Sequence, residues 1–231
     1  LELGEIFFDY SQEQTLYTSY IYGNLFRSEN GGLSLTGITP PDAVNGAWTA
    51  PFEIDPIDHN TIYAGYTKVF KSTDKGDNWT AISGDFSESL ECLEPAPSDP
   101  NYIYAASYYN IWKTSDGGQT WNDISSNLPQ HGPPPQVYDH IKFYDIAISS
   151  EDPNKAWLVF SNFSEGNKVF ETTDGGLNWS NISANLPNLP VNCIVYQDGS
   201  PDGLYVGTDV GVFYTNDNLT EWIDFSNGLS N

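Results

Sequence analysis

The sequence predicts an all-β repeat fold built of four-stranded antiparallel units, five of which are visible. Three observations carry that expectation. One short motif returns five times along the 231 residues at a nearly regular period. Each return is preceded by two short runs rich in β-branched and aromatic residues and bounded by turn residues. No window holds an apolar pattern at helical spacing, because Gly, Pro, Asn and Asp interrupt every candidate.

The clearest copies of the motif are Ser72-Thr73-Asp74-Lys75-Gly76-Asp77-Asn78-Trp79, Thr114-Ser115-Asp116-Gly117-Gly118-Gln119-Thr120-Trp121 and Thr172-Thr173-Asp174-Gly175-Gly176-Leu177-Asn178-Trp179. A weaker copy, Thr215-Asn216-Asp217-Asn218-Leu219-Thr220-Glu221-Trp222, lacks the glycine. The most degenerate, Ser28-Glu29-Asn30-Gly31-Gly32-Leu33-Ser34-Leu35, has Asn for Asp and Leu for Trp. The chemistry is that of a self-capped hairpin. A hydroxyl residue ends one strand, and the Asp side chain accepts backbone N–H groups of the turn that follows. Glycine supplies a backbone angle other residues avoid. Trp opens the return strand and is large enough to plug the gap to a neighbouring hairpin.

Taken in order, each unit reads as strands A and B, a third strand C that enters the motif, and a fourth, D, that leaves from the Trp. The best A–B pairs run from Phe52 to Gly65 and from Leu93 to Ala106. Others are Ile6–Tyr10 with Leu16–Ser19, Ile146–Ile148 with Ala156–Val159, and Cys193–Tyr196 with Leu204–Gly207. Strand C follows as in Val69-Phe70-Lys71 or Ile111-Trp112-Lys113. The period, about 42–44 residues with one longer interval of about 58, is that of β-propeller blades, here spanning approximately residues 1–40, 41–85, 86–128, 140–185 and 190–227 of a single propeller domain or a fragment of one. The long interval holds the proline-rich link Leu128–Gln136 and a longer B–C turn at Ser161–Lys168, both expected to be loops. The tail Asn227–Asn231 matches segments that elsewhere lead into another blade, so an arc of a larger propeller is expected, with a closed ring of five as the alternative. With no Met in the chain, Leu1 is expected to be an internal or processed residue.

The motif, Ser/Thr-x-Asp-x-Gly-x-x-Trp, resembles the Asp-box (BNR) repeat of β-propeller blades. The phrases Tyr22-Gly23-Asn24-Leu25-Phe26-Arg27-Ser28, Ile54-Asp55-Pro56 and Gly207-Thr208-Asp209-Val210-Gly211-Val212-Phe213 are similar to sortilin-like and glycosyl-hydrolase BNR propeller segments of large secreted surface proteins of Bacteroidota. That resemblance covers essentially the whole chain. It implies export to the medium or cell surface, further domains of the same polypeptide as neighbours, and no transferable catalytic motif. It also implies that Asp74, Gly76, Trp79, Asp116, Gly118, Trp121, Asp174, Gly176, Trp179, Asp217 and Trp222 are structural, since in that family the box lies far from the binding face.

Composition narrows the partners. Thirty-one acidic against eight basic residues give a net charge of −23, which argues against nucleic acid or an anionic membrane as a partner. No apolar run approaches the length of a membrane-spanning helix. No cofactor is expected; Ca²⁺ would suit the acidity, but no Asp-x-Asp-x-Asp-Gly loop supports it. Aligning the B strands on Ile62, Ile103 and Leu204 puts Cys92 and Cys193 at the same place in the third and fifth units. Packed sheets lie about 10 Å apart and a disulfide needs Cα atoms within about 7 Å, so both are expected to be thiols, buried as small hydrophobes.

Catalytic constellations are sparse. A sialidase grips its carboxylate with several arginines, and this chain has one, Arg27. A xyloglucanase-like pair of carboxylates across a cleft is compatible with the many acids, but no pair singles itself out. His59, His131 and His140 show no metal-ligand spacing and read as solvated loop residues. The B–C turns carry Tyr20, Tyr22, Tyr66, Tyr108, Tyr109 and Phe163, on the end opposite the repeated motif; they read as stackers for a sugar ring or peptide, or as caps on the sheets. The expected function is a non-enzymatic extracellular binding or assembly propeller, with glycan or protein as ligand. The alternative is a glycoside hydrolase propeller acting on polysaccharide.

Overall fold

The computed structural model describes residues 6–129, 143–163 and 165–226. The expected second loop of the long interval therefore lies partly, and its proline-rich link, His131, His140 and the tail 227–231 almost wholly, outside the described residues. Five four-stranded sheets account for all the extended structure among the described residues, each a meander in which sequential strands pair. The first holds β1 (Ile6–Phe8), β2 (Leu16–Tyr20), β3 (Asn24–Ser28) and β4 (Thr36–Gly37); the second β5 (Phe52–Ile54), β6 (Ile62–Gly65), β7 (Val69–Ser72) and β8 (Thr80–Ala81). The third holds β9 (Cys92–Pro95), β10 (Ile103–Ala106), β11 (Ile111–Thr114) and β12 (Asn122–Asp123). The fourth holds β13 (Phe143–Ile148), β14 (Ala156–Phe160), β15 (Val169–Thr172) and β16 (Ser180–Asn181), and the fifth β17 (Val191–Gln197), β18 (Gly203–Thr208), β19 (Gly211–Thr215) and β20 (Ile223–Asp224). These are propeller-type blades: all-β, antiparallel, with a 3-10 turn at Ile21–Gly23 as the helical element among the described residues.

The second strands of the three middle blades are apolar on both faces because both are covered. Every residue of β6, β10 and β14 is buried. Such strands are continuous hydrophobic runs rather than alternating ones. The A–B turns are closed by side chains: Asp9 Oδ1 accepts the N–H groups of Ser11 and Gln12 at 2.8 and 3.1 Å, and Asp55 Oδ1 those of Ile57 and Asp58 at 2.9 and 3.0 Å. His59, expected to be solvated, is instead half-buried, its Nδ1 3.0 Å from Asp9 Oδ2; the carboxylate that closes the first blade's turn reaches a histidine of the second.

The chain divides into two compact units, Leu1–Ser107 with Thr114–Asn122, and Tyr108–Lys113 with Asp123–Asn231. In the first, Tyr17, Leu25 and Ile38 pack on Phe52, Ile62, Ala64 and Phe70, with the Tyr17 and Phe52 rings 5.5 Å apart. In the second, Ala147, Trp157, Val159 and Val169 meet Val191, Ile194, Leu204, Val206 and Trp222. Full burial of each such side chain is worth about 1.5–3 kcal/mol, so in both units one blade's face is the next blade's core.

Cys92 stands opposite Ala106 and Cys193 opposite Gly207, the same register position in the third and fifth sheets. Both are thiols, and Cys92 is buried. Cys193, expected to be buried, is exposed: along β17 it alternates with buried Ile194, on the side that also leaves Val195 57% exposed.

Candidate ligand pocket

The repeated turns are held by their hydroxyl residue. Ser72 Oγ accepts the Gly76 N–H at 2.8 Å and donates to Asp74 Oδ1 at 2.8 Å, which in turn accepts the Asn78 N–H at 2.8 Å. Thr114, Asp116, Gly118 and Thr120 repeat this at 2.8–2.9 Å, as do Thr172, Asp174, Gly176 and Asn178. These bonds depress the carboxyl pKa values. The Thr120 amide, then the Thr120 and Thr114 hydroxyls, bring Asp116 down to about 2. The Asn178 amides do the same for Asp174 and those of Asn78 for Asp74, in direction. Gly76, Gly118 and Gly176 have φ of +93°, +96° and +89°, and each is also a contact surface. A Cβ on Gly118 would lie 2.5 Å from Ile82 O, and one on Gly176 2.4 Å from Ile124 Cδ1. The indoles then tie each blade to the one before: Trp79 Nε1 donates to Ile38 O at 2.7 Å, Trp121 to Ile82 O at 2.8 Å, Trp179 to Ile124 O at 3.0 Å and Trp222 to Ile182 O at 2.8 Å. Arg27 is equally occupied, with Nη1 on Lys75 O at 2.7 Å and Asp77 at 3.0 Å.

The fifth turn departs from this scheme. Among the described residues no backbone N–H bonds Asp217; Asn216 Oδ1 takes that of Asn218 at 2.9 Å. Asp217 instead faces Asp202. Burial first, then the hydrogen bond and charge of Asp202, raise its pKa, opposed by Lys155, which bonds Asp202. With Leu219 where the other turns have glycine, a cavity of about 410 Å³ opens, lined by Trp157, Glu171, Asp202, Asp217, Leu219 and Trp222 among others. The cavity brings four acids to one place, Glu171, Asp202, Asp217 and Glu221.

The aromatic residues of the B–C turns separate. Tyr66, expected on the ligand face, is buried at 2% exposure, and burial pushes its hydroxyl well above the ordinary tyrosine range. It donates to Gly23 O and packs under Gly23 and Gly46, neither of which has room for a Cβ. Tyr20, at the end of β2, is half-buried. Tyr22 is presented outward, 59% exposed, in the left-handed region at φ +61°. A bulky residue holds that conformation only where its surroundings impose it. Here its N–H bonds Trp48 O at 3.1 Å, and the two rings meet edge-on with centroids 5.4 Å apart. Trp48 is also 59% exposed.

Beside Tyr22 lies a cavity of about 620 Å³ lined by Tyr22, Asn45, Gly46, Thr67, Ser87 and Ser89. Its walls are two B–C turns and two D–A links of the first unit. The Phe86 N–H on Thr67 O at 2.8 Å and Ser89 Oγ on Asn45 O at 2.9 Å hold the links in place. Asn45 and Ser87 are likewise left-handed, at φ +53° and +64°. Thr67 is 5% exposed, and its Oγ1 has no hydrogen-bond partner. None of the lining residues is charged.

In the second unit, the Tyr108 and Tyr109 rings lie 6.3 Å apart, and Phe163 is 64% exposed. Residues Asn45, Trp48, Thr67, Ser87 and Ser89 were not among the sequence candidates. Trp48 carried a signal: it is a tryptophan outside the motif spacing, set in a link of Pro, Ala, Gly and Asn. Among the described residues no group of three or more His, Cys, Asp or Glu is placed to hold a metal ion, and no helix is long and apolar enough to cross a membrane.

No protein-family profile matches the chain, and no curated protein matches it. Solved structures do. An ancestral GH74 enzyme superposes with a TM-score of 0.72 at 18% identity, over 99% of this chain and 31% of that one. The GH74 xyloglucanase from Xanthomonas campestris gives 0.70 at 14% identity, over 96% of this chain and 37% of that one. A chain of the nidogen/laminin complex gives 0.62 at 12% identity, over 96% and 78%. The chain spans about a third of the length of the GH74 structures it matches, and the likeness is one of fold, a β-propeller.

Proposed function

We propose that this chain is a non-enzymatic binding propeller of the Asp-box type, part of a larger secreted or surface-anchored protein of the kind made by Bacteroidota. Its ligand seat, on this reading, is the pocket beside Tyr22 and Trp48. The observation that carries the reading is the exposed Tyr22 ring, on a backbone held in the left-handed region at the wall of an uncharged cavity, with the exposed Trp48 ring packed edge-on against it. Strain of this kind costs about 1–3 kcal/mol and persists where a site is built. The nidogen/laminin likeness is in keeping with a protein ligand and the xyloglucanase likeness with a glycan.

The test is a hydrolysis assay on β-glucans together with binding to arrayed glycans and extracellular-matrix proteins. Reducing ends are expected to stay at buffer level, and Trp48→Ala to abolish whatever binding is found while leaving the melting temperature within a few degrees. Turnover abolished by a single carboxylate substitution would overturn the proposal, as would binding that Trp48→Ala leaves untouched.

A further inference from the structure

We propose that the outer face of the fifth blade is a docking surface for one further four-stranded blade of the larger protein, whose plug tryptophan donates its indole N–H to Phe225 O. This rests on the reading that the chain belongs to a larger protein, and on no part of the pocket beside Tyr22.

Within the second unit one such contact is complete. Ala147, Trp157, Val159 and Val169 of the fourth blade are at most 7% exposed, because Ile194, Leu204, Val206 and Trp222 of the fifth cover them. The strand registers find the same positions one blade on. Ala147 pairs with Trp157 and Val159 with Val169; Val195 pairs with Tyr205 and Gly207 with Val212. In the fifth blade that face is uncovered. Val195 is 57% and Phe225 49% exposed, and Cys193 is exposed on the same side. The Tyr205, Tyr214 and Phe225 rings gather there with centroids 4.7–6.1 Å apart. A contiguous apolar surface of this kind marks an interaction site.

The indole series names the occupant. Ile38, Ile82, Ile124 and Ile182 each bond back to the third strand of their own blade, N–H to Leu25 O, Val69 O, Ile111 O and Val169 O at 2.8–3.0 Å. Each then gives its carbonyl to the indole of the following blade. The Phe225 N–H makes the same bond, to Val212 O at 2.8 Å, so its carbonyl is the fifth of the series. Among the described residues no donor reaches it. The first blade has no indole to give, since Leu35 stands at its Trp position. Charge speaks against a second copy. No Lys or Arg follows Lys168, and Asp198, Asp209, Glu221 and Asp224 of the fifth blade would face another chain of net charge −23. A blade with its own tryptophan and few acids satisfies both the carbonyl and the charge.

The experiment is thiol labelling with the modified peptides mapped, on this chain alone and on the intact native protein. Cys193 is expected to react as an open thiol in the chain alone and at least about tenfold more slowly in the native protein, as a covered cysteine does. Val195→Asp is expected to restore fast labelling in the native protein, while the melting temperature of the chain alone stays within about 2 °C. A photoreactive phenylalanine analogue in place of Tyr214 is expected to cross-link to a tryptophan-bearing segment outside these 231 residues. Equal labelling of Cys193 in a longer native protein would overturn the inference alone. So would a cross-link to the first blade, to a second copy or to a segment without the repeated motif. A native protein no longer than this chain would remove the larger-protein reading and the inference together, and would leave the Tyr22 pocket as it stands.

Discussion

The turns of the first and fifth blades are the two degenerate copies of one motif, and they have lost opposite halves of it. In the first, Ser28 Oγ accepts the Gly32 N–H at 2.9 Å and donates to Asn30 Oδ1 at 2.9 Å, which accepts the Ser34 N–H at 2.9 Å; the turn is whole, with Asn in place of Asp. Its plug is gone, since Leu35 stands where the others have Trp and is 47% exposed. In the fifth, the plug is whole: Trp222 is 3% exposed and bonded to Ile182 O. The turn is gone, with Asp217 given over to Asp202. The motif is therefore two devices. One closes a hairpin on itself through a hydroxyl, an acceptor and a glycine. The other fastens a blade to its predecessor through an indole.

The plug should show the largest asymmetry. Trp222→Ala is expected to cost about 3–5 kcal/mol of unfolding free energy, and Leu35→Ala less than about 0.5 kcal/mol, by denaturant melts. Near-equal losses would unite what the structure divides. Glycine comes next. Gly176→Ala combines a positive φ with a Cβ 2.4 Å from Ile124 Cδ1 and is expected to cost about 2–4 kcal/mol. Gly32→Ala, whose Cβ would meet only Leu16 Cδ2 at 3.6 Å, should cost about 1–2 kcal/mol.

The smallest effect is electrostatic and has opposite signs in intact and broken turns. Asp116, with its pKa lowered from 3.8 to about 2, contributes stability that is present above the unfolded value and lost as pH falls from about 4 toward 2. Asp217 is raised, so its ionisation works against the fold at neutral pH and acid relieves it. Asp116→Asn should flatten the acid limb of a stability–pH curve between those values, whereas Asp217→Asn should raise the melting temperature at pH 7 and leave that limb in place. A parallel response of the two variants would contradict the different carboxyl environments.

The fold was legible because its signals are local. A hydroxyl, an Asp, a glycine and a Trp within eight positions specify a hairpin wherever they occur, and a steady period turns hairpins into blades. The exceptions follow from the same locality. Asp217 keeps the spacing, but Leu219 in place of glycine sends its carboxylate elsewhere, and spacing alone does not show this. The pocket was half legible. Tyr22 and Tyr66 occupy similar B–C turns, yet one is displayed and the other buried, because Gly23 and Gly46 leave space for the Tyr66 ring beneath them. Asn45, Thr67 and Ser89 come together only when two links and two turns meet, and pairing across such distances in sequence leaves no short-range trace.

The indole bonds have a direction. Trp79, Trp121, Trp179 and Trp222 each reach for a carbonyl that lies about 39–55 residues earlier in the chain. During synthesis every acceptor is therefore made before its donor. No bond of this series has to wait for residues still to be translated, so the order of donors and acceptors is compatible with blades docking one after another as they are made.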